Sequence, residues 1–448
     1  MRNLQPMMVA LAVGALMLIA RDASAQDWPQ WRGPNRDAKA TGFTAPKTWP
    51  KELTEKWKVT VGEGVATPAL VGDKLYVFSR EGGNEMVRCL NADTGKEIWQ
   101  DKYESEAVGG PAGAFSGPRS SPAIADGKLL TMGVHGVISC YDAASGKKLW
   151  RSEDFTDVVP MFSVASSPIL VDRLCIAQLG GDGAGGIVAL DLATGVEKWR
   201  WAGDGTGYAS PVLATIDGEK AIVAETASKI VAVSLAGKQL WTTPFARQGR
   251  SYQACTPIID GQTVVFSGTP RGTKAFKLEK KGDEFNGKEL WSNKDTSVQF
   301  NTPVIKDGSV FGISESNKLF CISMESGKTS WSTLAPGASA AAAPGGPPGG
   351  RPGGPPGGPP GGGRPGGGRM GGGMGMGRDG YGSVVDAGSV LFALTPGGKL
   401  AVFEPSDKEF KQVALYTIAK EGTYAYPVVA GNRIFVKDKD SVKLFMIE

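Results

Sequence analysis

Residues 189–199 read Ala189-Leu-Asp-Leu-Ala-Thr-Gly-Val-Glu-Lys-Trp199, and the second half of this stretch recurs through most of the chain. A glycine is followed four residues later by a tryptophan six times, and successive tryptophans lie 40 to 51 residues apart. A period of this length is typical of an array of small supersecondary units that pack on one another. The six pairs are Gly95/Trp99, Gly146/Trp150, Gly195/Trp199, Gly237/Trp241, Gly287/Trp291 and Gly327/Trp331.

Each repeat consists of short runs of β-forming residues that alternate with Asp-Gly and Ser-Gly turn sequences. In the second repeat these runs are residues 120–124, 128–132, 137–141 and 148–150. This alternation indicates antiparallel hairpins, and beyond the first 25 residues no stretch of a dozen residues has helical periodicity. Four antiparallel strands in each unit of this size predict a blade of a β-propeller.

The first strand of each predicted blade begins with a pair of residues followed by proline. Proline is tolerated there because the first residue of a strand need not donate a hydrogen bond to the sheet. A degenerate copy at residues 381–385 lacks the proline, and with it the copies number eight, which predicts eight blades. The regular copies are Ala66-Thr-Pro68, Ser120-Ser-Pro122, Ser166-Ser-Pro168, Ala209-Ser-Pro211, Cys255-Thr-Pro257, Asn301-Thr-Pro303 and Ala425-Tyr-Pro427.

The eighth copy is one strand short, because only three β-forming runs follow residue 425. The missing strand is available at residues 55–60, which contain a seventh tryptophan, Trp57. Pairing these ends would close the ring and remove two open sheet edges. We therefore predict an all-β fold over residues 55–448: an eight-bladed propeller of four-stranded antiparallel blades, closed by pairing an N-terminal strand with the C-terminal blade.

The glycine-tryptophan frame has a structural interpretation. The Asp-x-x-Thr-Gly sequence makes a tight turn, in which the Asp side chain accepts backbone hydrogen bonds and Gly adopts positive φ. The tryptophan is large enough to fill the space between neighbouring blades, and its indole N–H needs a carbonyl acceptor. We therefore predict that these glycines and tryptophans, with Trp57, hold the blades together and do not contact a ligand.

Three parts of the chain fall outside the blades. Residues 1–25 combine a positive start, an apolar run and Ala23-Ser-Ala25, which predicts a signal peptide cleaved after Ala25 and a periplasmic or secreted protein. Residues 26–54 are expected to be an N-terminal extension that packs on the propeller. Residues 335–378 contain 20 glycines and 10 prolines among 44 residues, which predicts a disordered loop. No later segment is apolar enough to span a membrane.

Charge and cysteine content exclude some functions. The net charge of +4 comes from the leader and from four arginines in residues 335–378, which leaves −1 for the remaining body. A nearly neutral body has no electrostatic footprint for nucleic acid. Cys89, Cys140 and Cys321 occupy equivalent places in separate repeats, too far apart for disulfides, so we expect the five cysteines to be buried apolar residues. The only histidine, His135, cannot supply a multi-histidine metal site.

The candidate binding surface is the mouth of the channel, where the loops leading into the innermost strands meet. Aromatic residues beside arginine and amides suit a protein or a flat-ring ligand. The alternative is that some of the aromatic residues pack between blades. The candidate residues are Glu63, Arg119, Phe162, Tyr208, Tyr252, Gln253, Gln299, Phe300, Asn301, Tyr381 and Tyr424.

The repeat Ala-x-Asp-x-x-Thr-Gly-x-x-x-Trp, best seen at residues 189–199, resembles the tryptophan-docking motif of the BamB-like propellers of the pyrroloquinoline-quinone (PQQ) type. Residues 27–34, Asp-Trp-Pro-Gln-Trp-Arg-Gly-Pro, also look like the start of exported bacterial members. The resemblance implies either a non-catalytic propeller, such as the BamB subunit of the β-barrel assembly machinery, or a quinoprotein dehydrogenase that holds the quinone and calcium beside a catalytic Asp.

The chain departs from both branches. It lacks the vicinal cysteine pair of many such dehydrogenases and an assignable calcium-binding set, and it lacks a lipid-attachment cysteine near residue 25. We therefore predict a monomeric, exported, non-catalytic scaffold without a cofactor, which binds an envelope protein or an extracellular polymer at the mouth. The alternative is an oxidoreductase that depends on PQQ and calcium.

Overall fold

A computed structural model describes residues 27–181, 185–249, 251–338 and 380–448. Within these residues, eight four-stranded antiparallel sheets form the predicted propeller. The predicted signal peptide lies outside the described residues, and so does the predicted loop from residue 339 onward. None of the described residues lies in a helix with the length and apolar character that a membrane span requires.

The ring closes as predicted. Strand β1 (Thr54–Thr60) pairs antiparallel with the last strand of the described chain, in a register that joins Thr54 to Met446 and Thr60 to Ser441. The eighth blade therefore takes its outermost strand from one end of the fold and its other three strands from the opposite end.

In every other blade the four strands follow one another in the chain, from the innermost strand at the channel to the outermost at the rim. Blades 1 to 4 are β2 (Ala69–Val71), β3 (Lys74–Glu81), β4 (Asn84–Asn91), β5 (Glu97–Glu104); β6 (Ala123–Ala125), β7 (Lys128–Met132), β8 (Ile138–Asp142), β9 (Lys148–Ser152); β10 (Ile169–Val171), β11 (Leu174–Leu179), β12 (Gly186–Asp191), β13 (Glu197–Trp201); and β14 (Val212–Ile216), β15 (Glu219–Glu225), β16 (Lys229–Ser234), β17 (Gln239–Pro244).

The remaining blades follow the same order, and a short 3-10 helix (Gly110–Ala114) precedes blade 2. Blades 5 to 8 are β18 (Ile258–Asp260), β19 (Thr263–Gly268), β20 (Gly272–Lys281), β21 (Glu284–Asn293); β22 (Val304–Lys306), β23 (Ser309–Ile313), β24 (Lys318–Ser323), β25 (Thr329–Leu334); β26 (Ser383–Asp386), β27 (Leu391–Leu394), β28 (Lys399–Phe403), β29 (Gln412–Thr417); and β30 (Val428–Ala430), β31 (Arg433–Lys437), β32 (Ser441–Met446), completed by β1.

The repeated tryptophans dock between blades. The Trp99 ring lies against Gly146 of the next blade, where an added Cβ would approach the ring to 2.5 Å, and its indole N–H donates to the Ala143 carbonyl at 3.2 Å. Indole-to-carbonyl bonds of 2.7–3.1 Å recur at other blade junctions. The donors are Trp57, Trp150, Trp199, Trp291 and Trp331.

Two details differ from the repeat pattern. Gly287 is not a turn residue: it lies inside the long strand β21 without positive φ, although the Trp241 ring still packs on it. Blade 7 has Ala414 opposite Val402, directly before the register shift, at the place where the other blades have tryptophan. The packing of tryptophan on glycine is therefore kept at Gly287 even though the tight turn of the repeat is absent there.

The cysteine prediction is confirmed. All five cysteines are buried and unpaired. Cys89, Cys140 and Cys321 each lie directly opposite their blade's tryptophan, where Ala189 and Ala232 stand in blades 3 and 4. A small apolar side chain is required at this position because the indole of the outer strand covers it.

Candidate functional site

The proline signature builds a ring of hydrogen bonds round the channel mouth. In each regular copy, the backbone N–H of the residue before proline donates to the side-chain hydroxyl of the corresponding residue in another blade. The seven links measure 2.8–3.1 Å and all run in the same rotational sense. They join Thr67 to Ser121, then Ser167, Ser210, Thr256, Thr302 and Tyr426, and Tyr426 back to Thr67.

Blade 7 is bypassed in this ring because its degenerate signature has Gly382 in place of a hydroxyl residue. The longer side chain of Tyr426 in blade 8 reaches across the gap, and its phenol oxygen accepts from the Thr302 N–H and donates to the Thr302 carbonyl. The long side chain of Tyr426 therefore compensates for the hydroxyl that blade 7 lacks at Gly382. We call these seven residues the hydroxyl ring.

The N-terminal segment, residues 27–40, enters the central channel. Trp28, only 1% exposed, exchanges two backbone hydrogen bonds with Leu70 of blade 1. Residue 29 accepts a bond from blade 2, and residue 40 donates one to blade 7. We call this segment the plug, because it contacts innermost strands on opposite sides of the channel.

Two buried arginines attach the plug to the blades. Arg32 donates to the Thr302 and Pro303 carbonyls at 2.5 and 2.6 Å and to the Tyr426 hydroxyl at 2.9 Å. Arg36 donates to the carbonyls of Ser167 and Pro168 at 2.9 and 2.6 Å. No described carboxylate pairs with either guanidinium. Burial, and secondarily the neighbouring Arg32, lowers the pKa of Arg36 to about 9.

Above the plug lies a cavity of about 220 Å³, which we call the cup. The side chain of Trp31, from the plug, and all seven residues of the hydroxyl ring line it. The Trp31 ring meets Tyr426 edge-on, with centroids 5.7 Å apart, and the guanidiniums of Arg32 and Arg36 lie within 5.5 Å of its centroid. The base of the cup is therefore an indole with two buried cations against it.

The wall of the cup is a continuous belt of aromatic rings. Phe300 and Tyr381 stack face to face at 4.3 Å, and their neighbours in the belt meet mostly edge-on at 4.9–5.9 Å. The rings pack on one another and also line the cavity. The predicted mouth aromatics therefore combine the two alternatives given for them, a place in the binding surface and a packing role. In order the belt is Tyr208, Phe162, Tyr252, Phe300, Tyr381, Tyr424 and Phe115.

Among the described residues that line the cup, Arg119 alone is charged. Its Nη2 donates to the carbonyls of Ala112 and Phe115, at 2.9 and 2.8 Å, which holds the loop before blade 2 in place. Its Nη1 is buried and has no hydrogen-bond partner among the described residues. Burial lowers the pKa of Arg119. Burial together with the neighbouring Tyr424 raises the pKa of the Tyr381 phenol to about 12, so this phenol keeps its proton at neutral pH.

The predicted mouth residues separate into two groups. Arg119, Asn301 and the predicted aromatic residues line the cup. Glu63, Gln253 and Gln299 do not: the Glu63 carboxylate accepts from Ser116, and the Gln253 amide donates to the Ala227 carbonyl at 2.6 Å. The belt member Phe115, the base Trp31 and the hydroxyl ring were not predicted as cup residues.

A second depression adjoins the cup over blades 3 and 4. It has a volume of about 560 Å³ and shares Phe162 and Tyr208 with the cup wall. Gln253 lines this depression, together with Arg200 and Arg247. We call it the outer groove, since it continues from the cup across the mouth face.

The cup does not fit a quinone-calcium site. Calcium takes six to eight oxygen ligands and favours carboxylates. Among the described residues no Asp or Glu lines the cup, and the Asn301 Oδ1, which has no hydrogen-bond partner there, is a single amide oxygen against the six to eight ligands required. Throughout the described ranges, no three His, Cys, Asp or Glu side chains cluster as metal ligands.

A family model described as "Outer membrane protein assembly factor BamB" matches residues 47–202 and 83–333 of this chain, which together exceed half of its length. BamB of Burkholderia pseudomallei is 24% identical over 287 residues, covering 54% of this chain and 69% of that protein. BamB of Yersinia pestis is 24% identical over 298 residues, covering 62% and 70%.

Dehydrogenases are also similar. The quinohemoprotein alcohol dehydrogenase of Comamonas testosteroni is 27% identical over 139 residues, which cover 30% of this chain and only 19% of that enzyme. The crystal structure of this enzyme superposes with a TM-score of 0.63 at 14% identity, covering 95% of this chain and 81% of the enzyme. BamB from Moraxella catarrhalis superposes with a TM-score of 0.60 at 14% identity, covering 88% and 100%. These superpositions establish the shared propeller fold.

Proposed function

Because the chain belongs to the family of the outer membrane protein assembly factor BamB, we propose that it is an exported, non-catalytic scaffold. Its cup and outer groove hold a partner protein of the cell envelope. The relatives' names suggest that this partner takes part in outer-membrane protein assembly.

The observation that carries this proposal is the aromatic belt around Arg119. Tyrosine and arginine in a partly desolvated depression are the residue types that dominate binding energy at protein interfaces. The belt is fixed by ring-to-ring contacts, so little side-chain entropy is lost when a partner binds. An acyl-transfer reaction would instead require a general base beside one of the ring hydroxyls, and no His, Asp, Glu or Lys is among the described residues that line the cup.

Cup variants should reduce partner capture. We expect Tyr208→Ala or Tyr252→Ala to lower the yield of a co-purified envelope protein at least tenfold, since interface aromatics of this kind contribute 2 kcal/mol or more. The measurement is affinity purification of the exported protein from cross-linked cells, followed by mass spectrometry. Lys147→Ala, in an exposed turn at the opposite face, is the matched control. Undiminished capture by both tyrosine variants would mean that the mouth is not the binding surface, and recovery of a saccharide instead would favour a polymer ligand.

Adding PQQ and calcium to the protein should not generate alcohol dehydrogenase activity. We expect purified mature protein to show neither stoichiometric PQQ binding in the presence of calcium nor dye-linked alcohol oxidation, because the cup lacks carboxylate ligands. Calorimetry and dye reduction measure the two quantities. Calcium-dependent, stoichiometric binding accompanied by turnover would overturn the scaffold proposal in favour of a quinoprotein oxidoreductase.

A further inference from the structure

Most of the polar side chains that line the cup carry a proton they can donate; the exception is the Asn301 Oδ1, a buried acceptor without a partner among the described residues. A hydroxyl has one proton and two acceptor sites. In six members of the hydroxyl ring the oxygen accepts a neighbouring backbone N–H, yet none of these six hydroxyls donates its own proton to any described residue. These six protons are available to a ligand that accepts hydrogen bonds.

Among the described residues, the charged groups that line the cup or lie against its base are all arginines. Arg119 lines the wall with an unpartnered Nη1, and Arg32 and Arg36 lie against the base without a carboxylate partner. Glu85 interacts electrostatically with Arg119, but it does not line the cup, and its oxygens accept from the Val134 N–H and the Tyr103 hydroxyl. Uncompensated guanidiniums in a desolvated site favour an anion, and a carboxylate matches the planar fork of Arg.

Size and shape limit the ligand further. A cavity of about 220 Å³ is smaller than the roughly 300–1,000 Å³ of pockets for whole small molecules. It has room for one large side chain between the belt and Trp31. The outer groove continues from the cup at Phe162 and Tyr208, so a longer chain has a path across the mouth face.

We propose that the cup receives the C-terminal residue of the partner polypeptide. An aromatic or large apolar side chain fills the space between the aromatic belt and Trp31. The terminal carboxylate accepts from Arg119 and the hydroxyl ring, and the preceding residues lie in the outer groove. This inference rests on the proposed function and specifies which part of the partner is bound.

The test uses the mature chain and a fluorescein-labelled hexapeptide ending in phenylalanine, made with either a free C-terminal carboxylate or a C-terminal amide. Fluorescence anisotropy should give an affinity at least tenfold higher for the free acid. Arg119→Gln should remove this preference, Arg119→Lys should retain part of it, and Lys147→Ala should leave it unchanged. Equal affinities of acid and amide for the unmodified chain would overturn the proposal.

Two further arms identify the source of the carboxylate. Ala254→Phe fills part of the cup without deleting a hydrogen bond. It should lower the affinity for the free-acid peptide at least tenfold and leave the melting temperature of the protein unchanged. N-acetylphenylalanine and PQQ should compete at least tenfold less well than the hexapeptide, since neither occupies the outer groove. If either small acid competes as well as the peptide, the ligand is a free aromatic acid and the polypeptide assignment is wrong.

These outcomes separate the two proposals. If acid and amide bind equally and Ala254→Phe blocks both, the mouth still binds protein but does not select a C-terminal carboxylate. If neither peptide binds, the C-terminal inference is overturned, whereas the scaffold proposal is decided by whether Tyr208→Ala and Tyr252→Ala still capture the envelope partner.

Discussion

Replacing Trp28 by alanine is expected to lower the free energy of unfolding by about 3–5 kcal/mol, the usual cost of truncating a large core aromatic. Trp28 is 1% exposed and packs in the core cluster that includes Leu70 and Leu75 of blade 1. Gly33, which lies against its ring, has no side chain with which to fill the space left by the truncation. The measurement is urea denaturation followed by tryptophan fluorescence and circular dichroism.

Trp31→Ala is the matched comparison for this prediction. Trp31 belongs to the same segment but lines the cup and is only partly buried. We expect Trp31→Ala to reduce the affinity for the peptide strongly and to change the free energy of unfolding only slightly. Trp28→Ala should reduce both quantities, since the base of the cup depends on the anchored plug. A Trp28→Ala protein within 1 kcal/mol of the unmodified chain would show that the plug is held mainly by Arg32 and Arg36.

The second large effect is expected at the blade junctions. Gly146→Ala should lower the free energy of unfolding by about 3 kcal/mol, because two costs combine. Alanine at φ +74° carries about 1–2 kcal/mol of backbone strain. Its Cβ would also lie 2.5 Å from the Trp99 ring, and overpacking of this kind costs about 1–3 kcal/mol.

Gly218→Ala separates the two costs. Gly218 has φ +83°, but nothing lies within 4 Å of an added Cβ, so only the backbone strain of about 1–2 kcal/mol applies. The difference between the two variants in urea denaturation measures the indole contact. If Gly146→Ala destabilises no more than Gly218→Ala, the tryptophan does not lock the blades, and the repeated motif serves only its turn.

The sequence predicts the architecture well because the blade-forming information is local and repeated. Each blade's turn, its tryptophan and its proline signature lie within 40 to 51 residues, so eight imperfect copies support one another. The incomplete final copy is informative as well, because in a closed ring its missing strand must be supplied by the segment before the first blade. The closure at β1 follows from that requirement and is observed.

The interior of the channel could not be predicted in the same way. The plug occurs once and has no periodicity, and some of its contacts span 270 or more residues, as in the bonds from Arg32 to Thr302 and Tyr426. Tyr426 replaces a serine or threonine of the signature, and sequence alone does not indicate that its phenol spans the gap at Gly382. The hydroxyl before each proline was visible as a pattern, but its role appears only when the blades form a ring.

The sequence indicates which loops surround the mouth, but it does not indicate where each side chain in those loops points. The loops that lead into the innermost strands carry Arg119 and most of the belt, and these residues line the cup; their role in binding stays a prediction. Gln253 lies in the right loop, but its amide donates to the backbone of a neighbouring blade and faces the outer groove. Phe115 was missed because its loop folds over the mouth through the bonds from Arg119, a contact without a sequence signature.

The closing strand also determines when this protein is most vulnerable during its biosynthesis. Residues 54–60 are synthesised long before residues 441–446, with which they pair. Until those last residues arrive, β1 and the unfinished eighth blade have open hydrogen-bonding edges, which are templates for pairing with another chain. A neighbouring copy at the same stage has complementary edges, so β1 of one molecule can complete the last blade of another. The characteristic misassembly of this architecture is therefore exchange of β1 between nascent copies, and conditions that delay the final strand should increase it.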